Sequence, residues 1–202
     1  MSLVMINFWY VVAAALFIFG LKKLGSPDSA VKGNMYSAAA MLIAVAVTLF
    51  NENILSFDWI IFAAVAGSII GALAAQRVQM TSMPEMVAIF NGSGGIASLL
   101  VGWAALFNTG NTLLTDITVV ISIVVGGMTF SGSILAWGKL SEIMNSAAVV
   151  FSGQRVVNSA IVLGLLLFSV LFCLDPSVSS PYLYLIISLS ILLGVMAVLP
   201  IG

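Results

Sequence analysis

The chain has 202 residues, 62% of them hydrophobic and only 6% charged, and its six basic and seven acidic residues leave a net charge of −1. A soluble domain carries about 25% charged residues, so this composition, with a mean hydropathy of +1.24, excludes a soluble domain and identifies an integral membrane protein. With no histidine, a single Cys173 and no basic block, the sequence also excludes a histidine proton switch, an internal disulfide, a cysteine-based metal cluster and a nucleic-acid partner.

Seven apolar segments follow in order: Val4–Leu21, Met35–Phe50, Trp59–Ala75, Met86–Phe107, Ile117–Trp137, Val156–Leu174 and Tyr182–Leu199. Each approaches the roughly 20 residues needed to cross a bilayer. The second and third are short, which suits helices that tilt little or pack inside a bundle. The first run is preceded by neither a basic stretch nor a small-residue cleavage site, so it is expected to be retained as a helix. Short turn-like stretches separate the segments: Gly25-Ser26-Pro27-Asp28, Asn51-Glu52-Asn53, Asn108-Thr109-Gly110-Asn111 and Asp175-Pro176. The expected fold is all-α, a polytopic membrane helix bundle forming a single transmembrane domain over residues 1–202.

The loops set an orientation. Lys22, Lys23 and Lys32 lie between the first two segments, Arg77 between the third and fourth, and Lys139 and Arg155 between the fifth and sixth. Seven crossings place these loops on one side, while the opposite loops hold Glu52, Asp58, Asp116 and Asp175 and no base. The positive-inside rule makes the basic side cytoplasmic, with the N-terminus outside and the C-terminus inside. Trp9, Tyr10, Trp59, Tyr182 and Tyr184 fit an interfacial belt, whereas Trp103 and Trp137 fit belt or packing equally well.

The fourth segment opens on Met83-Pro84-Glu85-Met86 and then carries Asn91-Gly92-Ser93-Gly94-Gly95 about two turns in. An amide in hydrocarbon must find a partner, and glycines strip one side of the helix so that another helix or water can approach. The fifth segment repeats the theme with Ser122/Gly126, Gly127/Ser131 and Gly132/Ala136, matched in the fourth by Ala88/Gly92, Gly94/Ser98 and Ser98/Gly102. Such small-xxx-small pairs mark close helix contacts. The packing residues are therefore Gly92, Gly94, Gly95, Gly126, Gly127 and Gly132. Segments four and five are expected to be neighbours at the bundle centre, or to meet another subunit, with segments two, six and seven facing lipid. No charge lies deep in any segment, which argues against a complete proton relay within this chain. The deepest polar candidates are Asn91, Ser93, Ser98, Thr129 and Ser131. Glu85 follows Pro84 in a favourable first-turn position, where it reads as a helix-start acid or as a gate or docking residue.

Gly92-Ser93-Gly94-Gly95-Ile96-Ala97 also matches the dinucleotide fingerprint G-x-G-x-x-A, with Asp116 downstream as a ribose contact. A nucleotide fold requires strands alternating with amphipathic helices, and both flanks here are apolar all round. The fingerprint is set aside.

Three stretches carry a family resemblance: Met80-Thr81-x-Met83-Pro84-Glu85-Met86-Val87-Ala88-Ile89-x-Asn91-Gly92, Thr129-Phe130-Ser131-Gly132-Ser133-Ile134-x-Ala136-x-Gly138-Lys139-Leu140, and Leu199-Pro200-Ile201-Gly202. With Phe17-Ile18-Phe19-Gly20-Leu21, they resemble the membrane part of the β subunit of proton-translocating nicotinamide nucleotide transhydrogenase. The resemblance implies a chain that couples inward proton movement to hydride transfer from NADH to NADP⁺. It implies NAD(H) and NADP(H) bound on other domains, α-subunit membrane helices as partners, a dimeric complex, and the bacterial cytoplasmic (inner) membrane. The chain would supply the first seven of nine β-subunit helices, and the family continues past the Pro-Ile-Gly with an acidic loop, two more helices and the NADP(H) domain. Some relatives carry histidine at the place of Asn91. Others have asparagine there and a membrane histidine on the α subunit, and this chain resembles the second kind. The implied proton pathway holds Asn91, Ser93 and Ser131, and the implied cytoplasmic gate or docking residues are Glu85, Arg77, Lys139 and Arg155. No cofactor, catalytic residue or metal is expected on the chain itself. A small secondary transporter or a structural assembly subunit are the alternatives. The first would require an inverted repeat, and the sequence has no second Asn-Gly segment.

Overall fold

The computed structural model describes residues 3–49, 57–107, 112–174 and 179–201. Over these it is all-helical, with α1 Leu3–Leu24, α2 Pro27–Leu49, α3 Phe57–Arg77, α4 Met83–Ala105, α5 Leu113–Leu140, α6 Gln154–Leu174 and α7 Ser179–Val198. All seven are long and apolar enough to cross a membrane. Helices suit that solvent because every backbone group is paired within its own segment. The stretches Asn51-Glu52-Asn53, Asn108–Asn111 and Asp175-Pro176 lie outside the described residues.

The helices start earlier than apolar content implies, because their first turns are polar. Pro27 opens α2 with Asp28 in its first turn, where a missing N–H and a negative charge are both favourable. Lys32 is therefore helical rather than in a loop, and the turn before α2 shrinks to Gly25-Ser26. A 3₁₀ turn, Met80–Ser82, leads into α4, which carries Pro84 and Glu85 in its first turn. The Thr112 hydroxyl accepts the Thr115 N–H at 3.3 Å and caps α5.

The chain divides into two compact units, residues 1–71 and 72–202. In the first, α1 and α2 run antiparallel. Gly20 and Gly33 face each other so closely that a Cβ on Gly33 would stand 2.8 Å from the Gly20 carbonyl oxygen. The Tyr10 hydroxyl meets Thr48 Oγ1 at 2.8 Å near the far end of the pair. Residues of α3 are nowhere buried among the described residues, and nothing lies within 4 Å of a Cβ built on Gly67 or Gly71.

In the second unit α5 is the common element. Its Gly126 approaches α4 so closely that a Cβ there would stand 2.6 Å from the Leu99 backbone nitrogen and 2.7 Å from the Gly95 carbonyl oxygen. Gly92 lies against Ser133 and Gly102 against Val119, Ser122 and Ile123, an antiparallel seam. Across its middle the Ser122 hydroxyl donates to the Ser98 carbonyl at 2.8 Å. Gly127 and Gly132, a turn's fraction away, face α7 instead, against Ser190 and Gly194. That seam is parallel, because both pairings carry an offset of about sixty residues.

Segment seven is therefore not mainly lipid-facing: Ile186 and Ser190 are fully buried. The reason is that Gly126 and Gly127 are adjacent in sequence and so about 100° apart around the helix, which gives α5 two backbone-close faces rather than one. The core between the helices is Leu99, Val119, Val120, Ile123, Ile161, Leu165, Phe172, Leu183 and Ile186. Trp103 joins it as a packing residue, with its ring edge-on to Tyr184 at 6.3 Å. At the α5–α7 offset, Asp116 in the first turn of α5 is buried and level with the start of α7, where a carboxylate is favoured by the helix dipole.

A methyl group at Gly126 meets backbone that cannot step aside, whereas Gly94 has nothing within 4 Å. Gly126→Ala should therefore cost about 1–3 kcal/mol, as overpacking does. Gly94→Ala should be neutral or raise stability by a few tenths of a kcal/mol through helix propensity. Thermal unfolding of the two purified variants in one detergent checks both, and equal midpoints would contradict the seam.

Candidate functional site: the amide–hydroxyl pair between α4 and α5

Asn91 stands on α4 six residues beyond Glu85, about 9 Å along the axis at ~1.5 Å per residue. Its Nδ2 donates to Ser133 Oγ on α5 at 2.8 Å. Two features make the contact possible. Gly92, beside the amide, carries no side chain, and Ser133 is buried directly opposite, with its Cβ 3.2 Å from where a Gly92 Cβ would be. Asn91 is itself exposed on its outer side. The pair is thus a polar step at the edge of an apolar seam, one side held and one side open.

Of the three residues expected to share a polar path, the fold brings none together. The Ser93 hydroxyl is exposed and returns to the Ile89 carbonyl of its own helix at 2.9 Å. Ser131 belongs to the other seam, donating to Ile191 O on α7 at 2.8 Å and to Gly127 O at 3.0 Å. The partner of Asn91 is Ser133, which sequence reasoning overlooked. A signal existed: Ser133 lies seven residues after Gly126, two helical turns along the same face, whereas Ser131 lies about 200° away from it. Ser98 does join the seam through Ser122, and Thr129 offers its Cβ to Gly95 at 3.0 Å. Of the six packing glycines, Gly92, Gly95 and Gly126 form the α4 seam and Gly127 and Gly132 the α7 seam. Gly94 belongs to neither.

The charged candidates separate too. Glu85 is half-buried in the first turn of α4, Arg77 exposed in the last turn of α3, and Arg155 exposed in the first turn of α6. Lys139, expected on a docking surface, is instead buried at 8% exposure. Its Nζ donates to the carbonyls of Leu199 at 3.0 Å and Val198 at 3.4 Å, and also to that of Ile201. Those carbonyls end α7, where orphan acceptors and the negative end of the helix dipole favour a cation. The Val149 N–H reaches the same Leu199 carbonyl at 2.9 Å from the link between α5 and α6.

The site is neutral. An amide and a hydroxyl both donate and accept, but neither ionises near pH 7, so the pair can orient a water molecule or a titratable group without itself carrying charge. Among the described residues, no three His, Cys, Asp or Glu side chains cluster to hold a metal. The glycine run of the nucleotide-like fingerprint lies in the interior of α4, with no strand ahead of it to form a phosphate-binding turn.

Compared with known proteins, residues 6–202 match the family described as NAD(P) transhydrogenase beta subunit. The chain belongs to that family. Two relatives, both named NAD(P) transhydrogenase subunit beta and both from Rhodospirillum rubrum (one from a specified strain), are 36% identical to it over 155 residues, covering 72% of this chain and 33% of theirs. The chain thus spans about a third of the length of the curated relatives it matches. In this member of the transhydrogenase beta family, the seam of α4 and α5 and the Lys139 clamp on α7 lie in an apolar, all-helical region.

The clamp makes a prediction of its own. Lys139→Met keeps the length and apolar stem but leaves the three carbonyls without their cation, and should cost about 1.5–3 kcal/mol, the range of hydrogen bonds to charged groups. Lys139→Arg should recover part of that. Thermal unfolding with hydrogen exchange at Leu199 and Ile201 checks it, and unchanged exchange in the Met variant would mean that the clamp holds nothing.

Proposed function

We propose that this chain is part of the proton-translocating membrane domain of a nicotinamide nucleotide transhydrogenase, and that the Asn91–Ser133 pair is a fixed polar station on its proton path. The hydrogen bond from Asn91 to Ser133 at 2.8 Å carries this reading. It puts the polar atoms of α4 at the edge of the helix seam, open on one side to water or to a titratable group from another subunit.

On this reading the membrane domain responds to hydride transfer from NADH to NADP⁺, which takes place on soluble domains that hold NAD(H) and NADP(H). The chemistry of the station follows from its residues. Asn91 has one donor and its carbonyl acceptor to spare after its bond to Ser133, so it can hold a water file in register. Apolar side chains at the same place would dry the path. The Ser133 hydroxyl accepts from Asn91 and keeps its own O–H to donate to a water molecule, which it orients without giving up the proton. The proton carrier itself is a titratable group outside this chain, for which a histidine of the α-subunit helices is suited. Glu85 lies on the same helix, at the end that the positive-inside rule makes cytoplasmic. It and Arg77 are the candidates for contact with the nucleotide-binding domains. The assembly is read as a dimer in the bacterial inner membrane.

Two variants test the station in the assembled complex. Asn91→Leu should lower proton-coupled hydride transfer roughly tenfold or more, equivalent to about 1.4 kcal/mol of barrier, while the subunits still assemble. Ser133→Ala should lower it less. The double variant should fall short of the sum, because the two residues act as one unit. Normal turnover per assembled Asn91→Leu complex, with only its thermal stability reduced, would reduce the pair to a helix clamp and remove it from the path.

A further inference from the structure

Asn158, one turn into α6, lines two surface cavities, one toward the helix start and one farther along the helix. The first, about 480 Å³, is lined by Phe151, Gln154, Arg155, Val156, Asn158 and Pro200 among others, with one cation and no acid. The second, about 390 Å³, is lined by Asn158, Ser159, Val162 and Leu163. From Arg155 to Leu163 is about 12 Å along the helix. The lining therefore passes from a charged rim at the helix start to a purely hydrocarbon wall.

The amides at the junction are incomplete. Gln154 Nε2 and Asn158 Oδ1 are shielded from solvent and have no hydrogen-bond partner. A donor and an acceptor four residues apart on a helix are complementary, and leaving such groups unpaired in an apolar setting is unfavourable. Closing the two onto each other uses Asn158 Oδ1 and leaves its Nδ2 as a donor beside the cavities it lines.

We propose that the two cavities bind one anionic phospholipid. The Arg155 guanidinium takes the phosphate, Asn158 Nδ2 donates to an ester carbonyl of the glycerol backbone, and an acyl chain lies along Val162 and Leu163. Gln154 closes onto Asn158 behind it. The order of groups along α6, cation then amide then hydrocarbon, is the order of groups down a phospholipid from headgroup to tail. Charge complementarity selects the anionic class: basic pockets at membrane-helix ends favour anionic headgroups, and the ammonium of a zwitterionic lipid would have no acid here to meet. The proposal is independent of the proton station, which lies on α4 and α5.

The test uses the assembled membrane complex containing this chain, purified in detergent. After delipidation it is supplied with phosphatidylglycerol, with phosphatidylethanolamine of the same acyl chains, or with inorganic phosphate. Native mass spectrometry and thermal unfolding are read for each. Phosphatidylglycerol should be retained about fivefold over phosphatidylethanolamine, as one basic contact near the surface allows, and should raise the unfolding midpoint. Arg155→Gln should abolish that preference, and Asn158→Leu should reduce retention of both lipids. Equal retention of the two lipids by the wild-type complex overturns the proposal without any variant. An equal midpoint shift with inorganic phosphate alone makes this a free-phosphate site and overturns the lipid assignment. Loss of the soluble nucleotide-binding partner from the Arg155→Gln complex, with lipid retention unchanged, would assign Arg155 to protein docking and overturn it as well.

Discussion

Backbone-to-backbone approach at Gly126 and Gly127 is the constraint on which the larger unit depends. In lipid there is no hydrophobic drive to bring apolar helices together, so association rests on van der Waals contact and a few polar links. Two adjacent glycines give α5 contact on two sides at once, with Leu99 and Gly95 on one side and Ser190 on the other. Among the described residues, the side-chain hydrogen bonds that link its helices run along those two lines. The Ser98–Ser122 and Asn91–Ser133 bonds follow the first, and the Ser131 and Lys139 bonds follow the second.

The two seams differ in what they leave open. Along α7 the polar groups are closed off: Ser131 is buried and satisfied by backbone carbonyls, and Lys139 spends its protons on the end of a helix. Such contacts fix position. Along α4 the polar groups approach a surface, because Asn91 is exposed on its outer side while bonded on its inner one. A group that is held and still accessible is the kind that can act on something else. This is why the functional reading rests on α4 rather than on the more heavily buried serines.

Much of this was legible in the residues. Seven apolar runs and the glycine spacing in α4 and α5 correspond directly to helix count and to the first seam. The family stretches around Pro84 and Ser131 also pointed to the right family. What escaped had physical causes. Asp28 and Lys32 looked like loop residues because hydropathy, not capping, was used to place the start of α2. Ser190 and Gly194 form a small-xxx-small pair, yet the surrounding run is apolar all round and gives no preferred face. Ser131 was favoured over Ser133 because both look alike until the register of α4 on α5 decides which one faces the amide. The burial of Lys139 had no local signal at all, since its partners lie about sixty residues away.

The glycine seams also bear on how α5 can move. Interlocked large side chains resist sliding, because each knob must climb out of its hole, but a seam of bare backbone presents little corrugation along the axis. On two flanks α5 is bounded by such smooth tracks. Its travel is then limited by the hydrogen bonds that cross the seams, from Ser122 to Ser98 and from Ser131 to Ile191, and by the cationic anchor on the last carbonyls of α7. An element on such rails, tied at a few polar points and anchored at one end, has room only for a short stroke. Because Ser133 rides on it, any such stroke carries the hydroxyl past the Asn91 amide and re-aims the bond between them.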